Sequence, residues 1–402
     1  MLRSIFLSSP AALLCGFILT SAQASPPAHG AHGGHGHEKK AKPKGVSALD
    51  VYAEGDRLHL LVAEFDGQHA EPGLFYMGSS DAGKTWSEPV QVDAEQKHAH
   101  AAMRGMDPQI AAAGDNVAVV WMTPGTDRFG GGPMATALSR DGGKSWKAGP
   151  NPADDGSTEG HGFLDITADS KGGFHLVWLD NRKDLRGIRY SQSKDGGSTW
   201  SANQTLDAET CECCWNSIVS AADSSLAVMY RDKDPRDMRV TMSKDGGGTW
   251  EPAQAAGEFS WKFDGCPHVG GALAEQENIW HAAVWTGNAG DTGVYHAVSP
   301  DAGKSWQTGE TPVAKDGTHP SLAINQDGRL LMAWTLMTES GPAIQTSLST
   351  DGGKTWSPSA QQSLAGVNAS HPLVLATTEG FRVFWTEKGA YQPGVWRMLA
   401  IP

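Results

Sequence analysis

Three of the five cysteines in this chain fall within Cys211-Glu212-Cys213-Cys214, and a fourth, Cys266, is followed two residues later by His268. Two further histidines, His319 and His371, each precede a proline. Thiolates and imidazoles, together with the thioethers of Met103 and Met106, are the donors preferred by soft and borderline metals. Cu(I) takes sulfur donors at low coordination number, whereas Zn²⁺ closes a tetrahedron of four ligands. Cys-x-Cys-Cys also lacks the paired Cys-x₂-Cys spacing of zinc ribbons. Cys211 and Cys214 are spaced as Cys-x-x-Cys, which permits redox exchange, but no helix-period segment follows to lower a thiol pKa. The competing structural use is a disulfide from the cluster to Cys266. Near neighbours within the cluster bridge one another badly, because disulfide geometry is restrictive.

The elements that must position these residues are set by a repeat. Ser-x-Asp-x-Gly-x-(Ser/Thr)-Trp occurs six times, at 79–86, 139–146, 193–200, 243–250, 299–306 and 349–356. Asp and Ser bond local backbone donors, Gly supplies a positive φ, and Trp is a large apolar anchor. Each copy therefore reads as a self-bonded hairpin turn held to a sheet by its Trp. Upstream of each turn lie two short apolar strands, as in Asp107–Ala111 with Val117–Trp121 and His319–Ala323 with Leu330–Trp334. A seventh pair, Pro372–Leu375 with Phe381–Trp385, has no Asp turn after it. Repeats of roughly 50 residues with four short strands each describe an all-β propeller over residues 46–402. Seven blades are expected, with six as the alternative count.

In such a ring, the links from the last strand of one blade to the first of the next share one face. Those links hold His98, His100, Met103 and Met106; His161; Cys211, Cys213, Cys214 and Trp215; Cys266 and His268; His319; and His371. The expected metal ligands are Cys211, Cys213, Cys214 and Cys266 at the channel mouth, with His268, His319 and His371 as auxiliary ligands. His59, His175 and His281 fall within second strands and are expected to be packed or bonded residues. The charged stretches 179–184 and 231–237 are expected to be a solvated rim.

The first 24 residues read as a signal peptide: Arg3, the mostly apolar run Ala11–Thr20, and Ala22-Gln23-Ala24 before the cut. This predicts export to the periplasm or beyond. Residues 25–45 are low-complexity, with His29, His32, His35 and His37 followed by lysines, and are expected to be disordered and able to bind metal. No later stretch is long and apolar enough for a membrane-spanning helix. The formal charge of −13 argues against nucleic acid and anionic membrane surfaces as partners. The methionines, the His-rich segment and the exported location favour copper, as Cu(I), over zinc.

The six Asp turns and their spacing resemble the Asp-box (BNR-repeat) propellers, the superfamily that includes bacterial sialidases. The resemblance implies that the Asp box sits between the third and fourth strands of a blade, on the face opposite the functional loops. A sialidase of this kind would need an arginine triad, a Tyr nucleophile with a Glu partner, and an Asp acid/base. The family's Arg-Ile-Pro signature is missing, and the innermost strands start at Asp107, Phe163, Trp215, Gly270, His319 and His371 instead of Arg. Tyr230 and Glu64 are present, with nothing to place them as a pair. No catalytic residue is assigned. The favoured function is copper handling or transfer, with a membrane transporter or another periplasmic protein as partner. The alternatives are a sialidase-like glycosidase or glycan-binding propeller, and a disulfide-stapled protein-docking propeller.

Overall fold

The computed structural model describes residues 42–182, 185–389 and 393–402. The expectations for the signal peptide and for His29, His32, His35 and His37 fall outside those residues. Every described element is a strand, and among the described residues no helix is long and apolar enough to cross a membrane.

The strands form six antiparallel four-stranded sheets and one of three strands, each ordered from the inside outward along the chain. Blades 1 to 6 span residues 45–91, 109–149, 162–207, 217–255, 272–308 and 317–361, and blade 7 spans 368–401. Innermost strands of successive blades touch all the way round, blade 7 against blade 1 included. The protein is a seven-bladed propeller, which settles the count against six. Blade 7 is the one without an Asp turn. Second strands are wedged between neighbouring blades, so they read as continuous apolar runs. In blade 2, Val117, Ala118, Val119, Val120 and Trp121 are all buried.

Each Asp box lies between the third and fourth strands of its blade. In the first, Gly83 N donates to Ser79 Oγ at 2.9 Å, Thr85 N to Asp81 Oδ1 at 2.9 Å, and Thr85 Oγ1 to Asp81 Oδ2 at 2.6 Å. The same bonds recur through Asp141, Asp195, Asp245, Asp301 and Asp351. Trp at the end of the turn reaches the preceding blade. Trp146 packs edge-on against Tyr76 at 5.4 Å and Trp250 against Tyr190 at 4.9 Å. Gly247 has φ +87°, and a Cβ there would lie 1.7 Å from the Tyr190 hydroxyl. Backbone conformation and close approach both require glycine at that position.

The ring closes without a shared sheet. Trp86 packs on Phe384 and Trp396 of blade 7 at 6.1 and 5.7 Å. Val46 N donates to Gly394 O at 2.8 Å, and Thr378 N to Asp56 Oδ1 at 2.9 Å. At the axis, side chains tie one blade to the next: Asp50 accepts from Ile110 N, Asp165 from Ile218 N, and Ser321 from Val374 N. These strands enclose a central cavity of about 410 Å³.

Candidate metal centre

The links into the innermost strands do lie together at one mouth of the channel. Cys211, Cys213 and Cys214 arise between blades 3 and 4, and all three are buried. The Sγ of Cys211 lies 3.9 Å from that of Cys213 and 3.5 Å from that of Cys214. None of the four thiols is bridged. Cys266 and His268 arrive from the link between blades 4 and 5, and both are exposed. Two overlapping groups of donors result: Cys211, Cys213 and Cys214, and then Cys213, Cys266 and His268, with donor atoms in each group within 4.8 Å of one another.

Main-chain ties hold the two links in register. Cys211 N donates to the Arg231 carbonyl at 2.9 Å, fixing the cysteine turn to the end of blade 4's second strand. The Arg231 side chain then crosses to the other link and donates to Val269 O at 3.2 and 3.1 Å, to Trp285 O at 2.9 Å and to Arg236 O at 2.5 Å. Asp237 accepts from the amides of Phe259, Ser260 and Trp261, setting the start of the loop that carries Cys266. Trp261 and Trp285 lie beside the Arg231 guanidinium at 5.4 and 5.7 Å.

Arg231 is 1% exposed, and among the described residues no carboxylate pairs with it. Its charge is therefore free to act on the thiols. Cys211 is pulled well below the ordinary thiol range by contacts from Cys213 and Cys214, with the Arg236 charge adding to this. Cys213 is pushed up by the sulfurs of Cys211 and Cys214 and by burial. Cys214 is pushed up to about 11, chiefly by burial, while Arg231 opposes the rise.

His319 and His371 belong to neither group of donors. They sit at bulges where the innermost strands of blades 6 and 7 slip register against their neighbours. Each has φ +53°, as His268 has +52°, a region in which histidine is enriched among non-glycine residues. Their rings stack at 3.9 Å, and Trp215 packs against both at 5.5 and 5.6 Å. Trp215 follows Cys214 directly, so the indole links the sulfur cluster to the imidazole pair. Thr318 Oγ1 lies 3.1 Å from His319 Nδ1 and donates to Thr335 O at 3.4 Å, and the His319 ring also bonds the His268 main chain. Burial lowers His319 to about 4 and holds His371 well below the usual imidazole range. Both rings are neutral at neutral pH, the form that can act as a ligand. Of the seven expected ligands, the structure gathers five into two donor groups and sets two apart as a stacked pair.

The other histidines divide in an orderly way. His59 bonds Tyr76 at 2.9 Å, His175 bonds Tyr190 at 2.7 Å and His281 bonds His296 at 3.0 Å, all inside blades. His98 bonds Asp93, His100 bonds the Phe129 carbonyl, and His161 lies between Asp155 and Asp180. Met106 packs against the cysteine-bearing core, whereas Met103 is half exposed.

The expected solvated rim needs correction. Asp180, Arg231 and Asp237 are buried, because each satisfies main-chain or side-chain partners across a loop. Lys183 and Asp184 lie outside the described residues. Arg231 is the functional residue that the sequence reading missed, since an arginine closing a strand in a charged stretch carries no mark of burial. Tyr230 bonds Asp207 at 2.9 Å, and no pairing with Glu64 forms among the described residues. Arg104 and Arg186 line the same mouth and donate mainly to main-chain carbonyls: Leu49 and His371 from Arg104, Glu212 and Gly160 from Arg186. A carboxylate-binding triad would need open forks instead.

The sequence model of the BNR repeat-like domain matches residues 25–255, and that of the BNR/Asp-box repeat matches residues 347–358. No curated protein matches. Among solved structures, an ulvan lyase, a polysaccharide lyase, is similar at 10% identity and a TM-score of 0.60, over 90% of this chain and 95% of that one. A Hadza microbial sialidase is similar at 14% identity and a TM-score of 0.48, over 85% and 76%. The intramolecular trans-sialidase of Ruminococcus gnavus gives 14% identity and 0.48, over 88% and 91%. At these identities the likeness concerns the fold alone. The repeat, its six turns and the family match agree: this chain belongs to the BNR repeat-like, Asp-box propeller family.

Proposed function

We propose that this protein is an exported propeller that handles copper, binding it as Cu(I) through Cys211, Cys213 and Cys214. Cys266 and His268 act beside the cluster, and His319 and His371 are auxiliary ligands. The observation that carries this reading is three unbridged, buried sulfurs, with Cys211 Sγ 3.9 Å from Cys213 Sγ and 3.5 Å from Cys214 Sγ, beside the buried Arg231 guanidinium. A metal–sulfur bond of about 2.3 Å places sulfurs about 3.8 Å apart in a tetrahedral site and about 4.0 Å apart in a trigonal one. The cluster is thus ready to take one ion with little movement.

Charge favours the monovalent ion. Three thiolates around Cu(I) carry −2 and around Zn²⁺ carry −1; the charges of Arg236 near Cys211 and of Arg231 near Cys214 offset the larger negative charge. Three sulfurs without a fourth in the same group also suit Cu(I) better than a closed zinc tetrahedron. In its cellular setting the ion would pass to or from a membrane transporter or another periplasmic protein. The glycosidase alternative draws no support from this mouth, where the arginines are engaged with carbonyls. The stapled-propeller alternative predicts bridges where the four thiols are free.

The test is competition. Reduced protein should hold one Cu(I) against a chromogenic Cu(I) chelator, and Cys211→Ser with Cys214→Ser should release it. No retained copper, or equal retention by that double variant, overturns the proposal.

A further inference from the structure

The sulfur-bearing centre has two overlapping positions for an ion, and they differ in access. All three donors of one group are buried, at 1%, 5% and 1% exposure for Cys211, Cys213 and Cys214. In the other group, Cys266 and His268 are exposed and only Cys213 is buried. A carrier or chelator large enough to hold a copper ion cannot reach the inner sulfurs directly, but it can reach Cys266 and His268. Cys213 belongs to both groups.

We infer that copper is captured at an outer position, Cys213, Cys266 and His268, and is stored at an inner one, Cys211, Cys213 and Cys214, with Cys213 as the pivot. This rests on the copper reading above and adds a path to it. The step is a ligand exchange. Copper remains Cu(I) throughout, and its bond to Cys213 Sγ is kept. The bonds to Cys266 Sγ and to the His268 ring nitrogen break as bonds to Cys211 Sγ and Cys214 Sγ form. Of the two protons leaving the Cys211 and Cys214 thiols, one goes to the Cys266 thiolate and the other to the freed His268 imidazole. Charge and protons balance without an added reactant. Release to a partner runs the same exchange backwards.

Two features of the frame fit this path. Arg231 is fixed to the cysteine turn through its own carbonyl and to the His268 link through Val269, so the two groups are held at a set distance. His268 lies in the left-handed region at φ +52°, and its ring sits 6.5 Å from that of Phe163.

Stopped-flow transfer of Cu(I) from a chromogenic chelator to the reduced full-length protein tests the path. Cys266→Ser with His268→Ala should slow both loading and chelator-driven release by about tenfold or more, with affinity falling much less than either rate. Cys211→Ser with Cys214→Ser should keep rapid capture and lose affinity by about a hundredfold or more. Cys266 and His268 are exposed, so their variant keeps the fold, and its thermal unfolding checks this. Wild-type loading and release rates in the Cys266/His268 variant, with copper still bound, overturn the path and leave the copper reading standing. Absence of copper binding by the wild-type protein overturns both.

Discussion

The two faces of this propeller are built by opposite rules. On one, six turns repeat the same bonds around Asp81, Asp141, Asp195, Asp245, Asp301 and Asp351, and each carboxylate is fully engaged within its own turn. On the other, the links follow no single pattern. One carries three cysteines, the next a cysteine and a histidine, and the two after that a histidine each at a bulge. Repetition marks what the ring needs to close. Departure from the repeat marks where donors with unused lone pairs collect. Fold and chemistry are separable here, and substitutions should separate them.

The largest contrast is expected between the cysteine cluster and a box glycine. Cys211→Ser with Cys214→Ser should abolish Cu(I) retention while thermal unfolding stays near that of the wild-type apoprotein. Gly247→Ala should do the reverse. It forces a Cβ into the Tyr190 hydroxyl and strains φ +87°, for a loss of about 3 kcal/mol or more by chemical denaturation, with copper still held under native conditions. Equal effects of both changes on copper would erase the separation.

Arg231 joins the two behaviours. Arg231→Met keeps the bulk and removes the charge and its bonds, leaving the carbonyls of Val269, Trp285 and Arg236 without donors. A loss of about 2–4 kcal/mol is expected. The specific sign of its electrostatic role is a rise in the apparent thiol pKa of the cluster, followed by thiolate absorbance against pH. A destabilised variant with an unchanged thiol titration would limit Arg231 to packing.

These outcomes depend on features that differ in how readable they were from residues alone. The blades were legible because each Asp box fixes a turn locally and Trp146 or Trp250 recurs at a fixed offset from it. The gathering of Cys211, Cys213, Cys214, Cys266 and His268 followed from counting blades, since links of one kind share a face. Three things were not legible, and all depend on distances between blades. One is the closure through Trp86 on Phe384 and Trp396. The second is the separation of His319 and His371 into a stack under Trp215. The third is the burial of Arg231, Asp180 and Asp237 in stretches whose charge suggested water.

A smaller effect sets the box face apart by pH. Five of the six box aspartates are held at about 2 by hydrogen bonds from the turn's hydroxyls and amides, and Asp195 is also lowered. A depressed carboxylate contributes stability that is complete above its unfolded value, about 3.9, and is lost as pH falls through the folded one. Thermal stability should therefore drop from about pH 4 towards pH 2. Asp50, lifted to about 7 by burial, and His281 and His296, lowered to about 4 by burial, titrate above that window. Asp245→Asn should reduce the steepness of the drop between pH 4 and 2 and leave copper binding as it was. An unchanged slope would remove the boxes from the acid transition.

The smallest expected effect is at the imidazole pair. His319→Ala should weaken Cu(I) binding by about tenfold or less, because His319 lies outside both donor groups. A loss as large as that of the cysteine variant would move the centre of the site towards blades 6 and 7.

X-ray absorption at the copper edge of the loaded, reduced protein addresses the central claim most directly. Cu(I) in a shell of three sulfurs at about 2.3 Å is the expected result. A shell of nitrogen and oxygen donors alone, or copper in the divalent state, would contradict it.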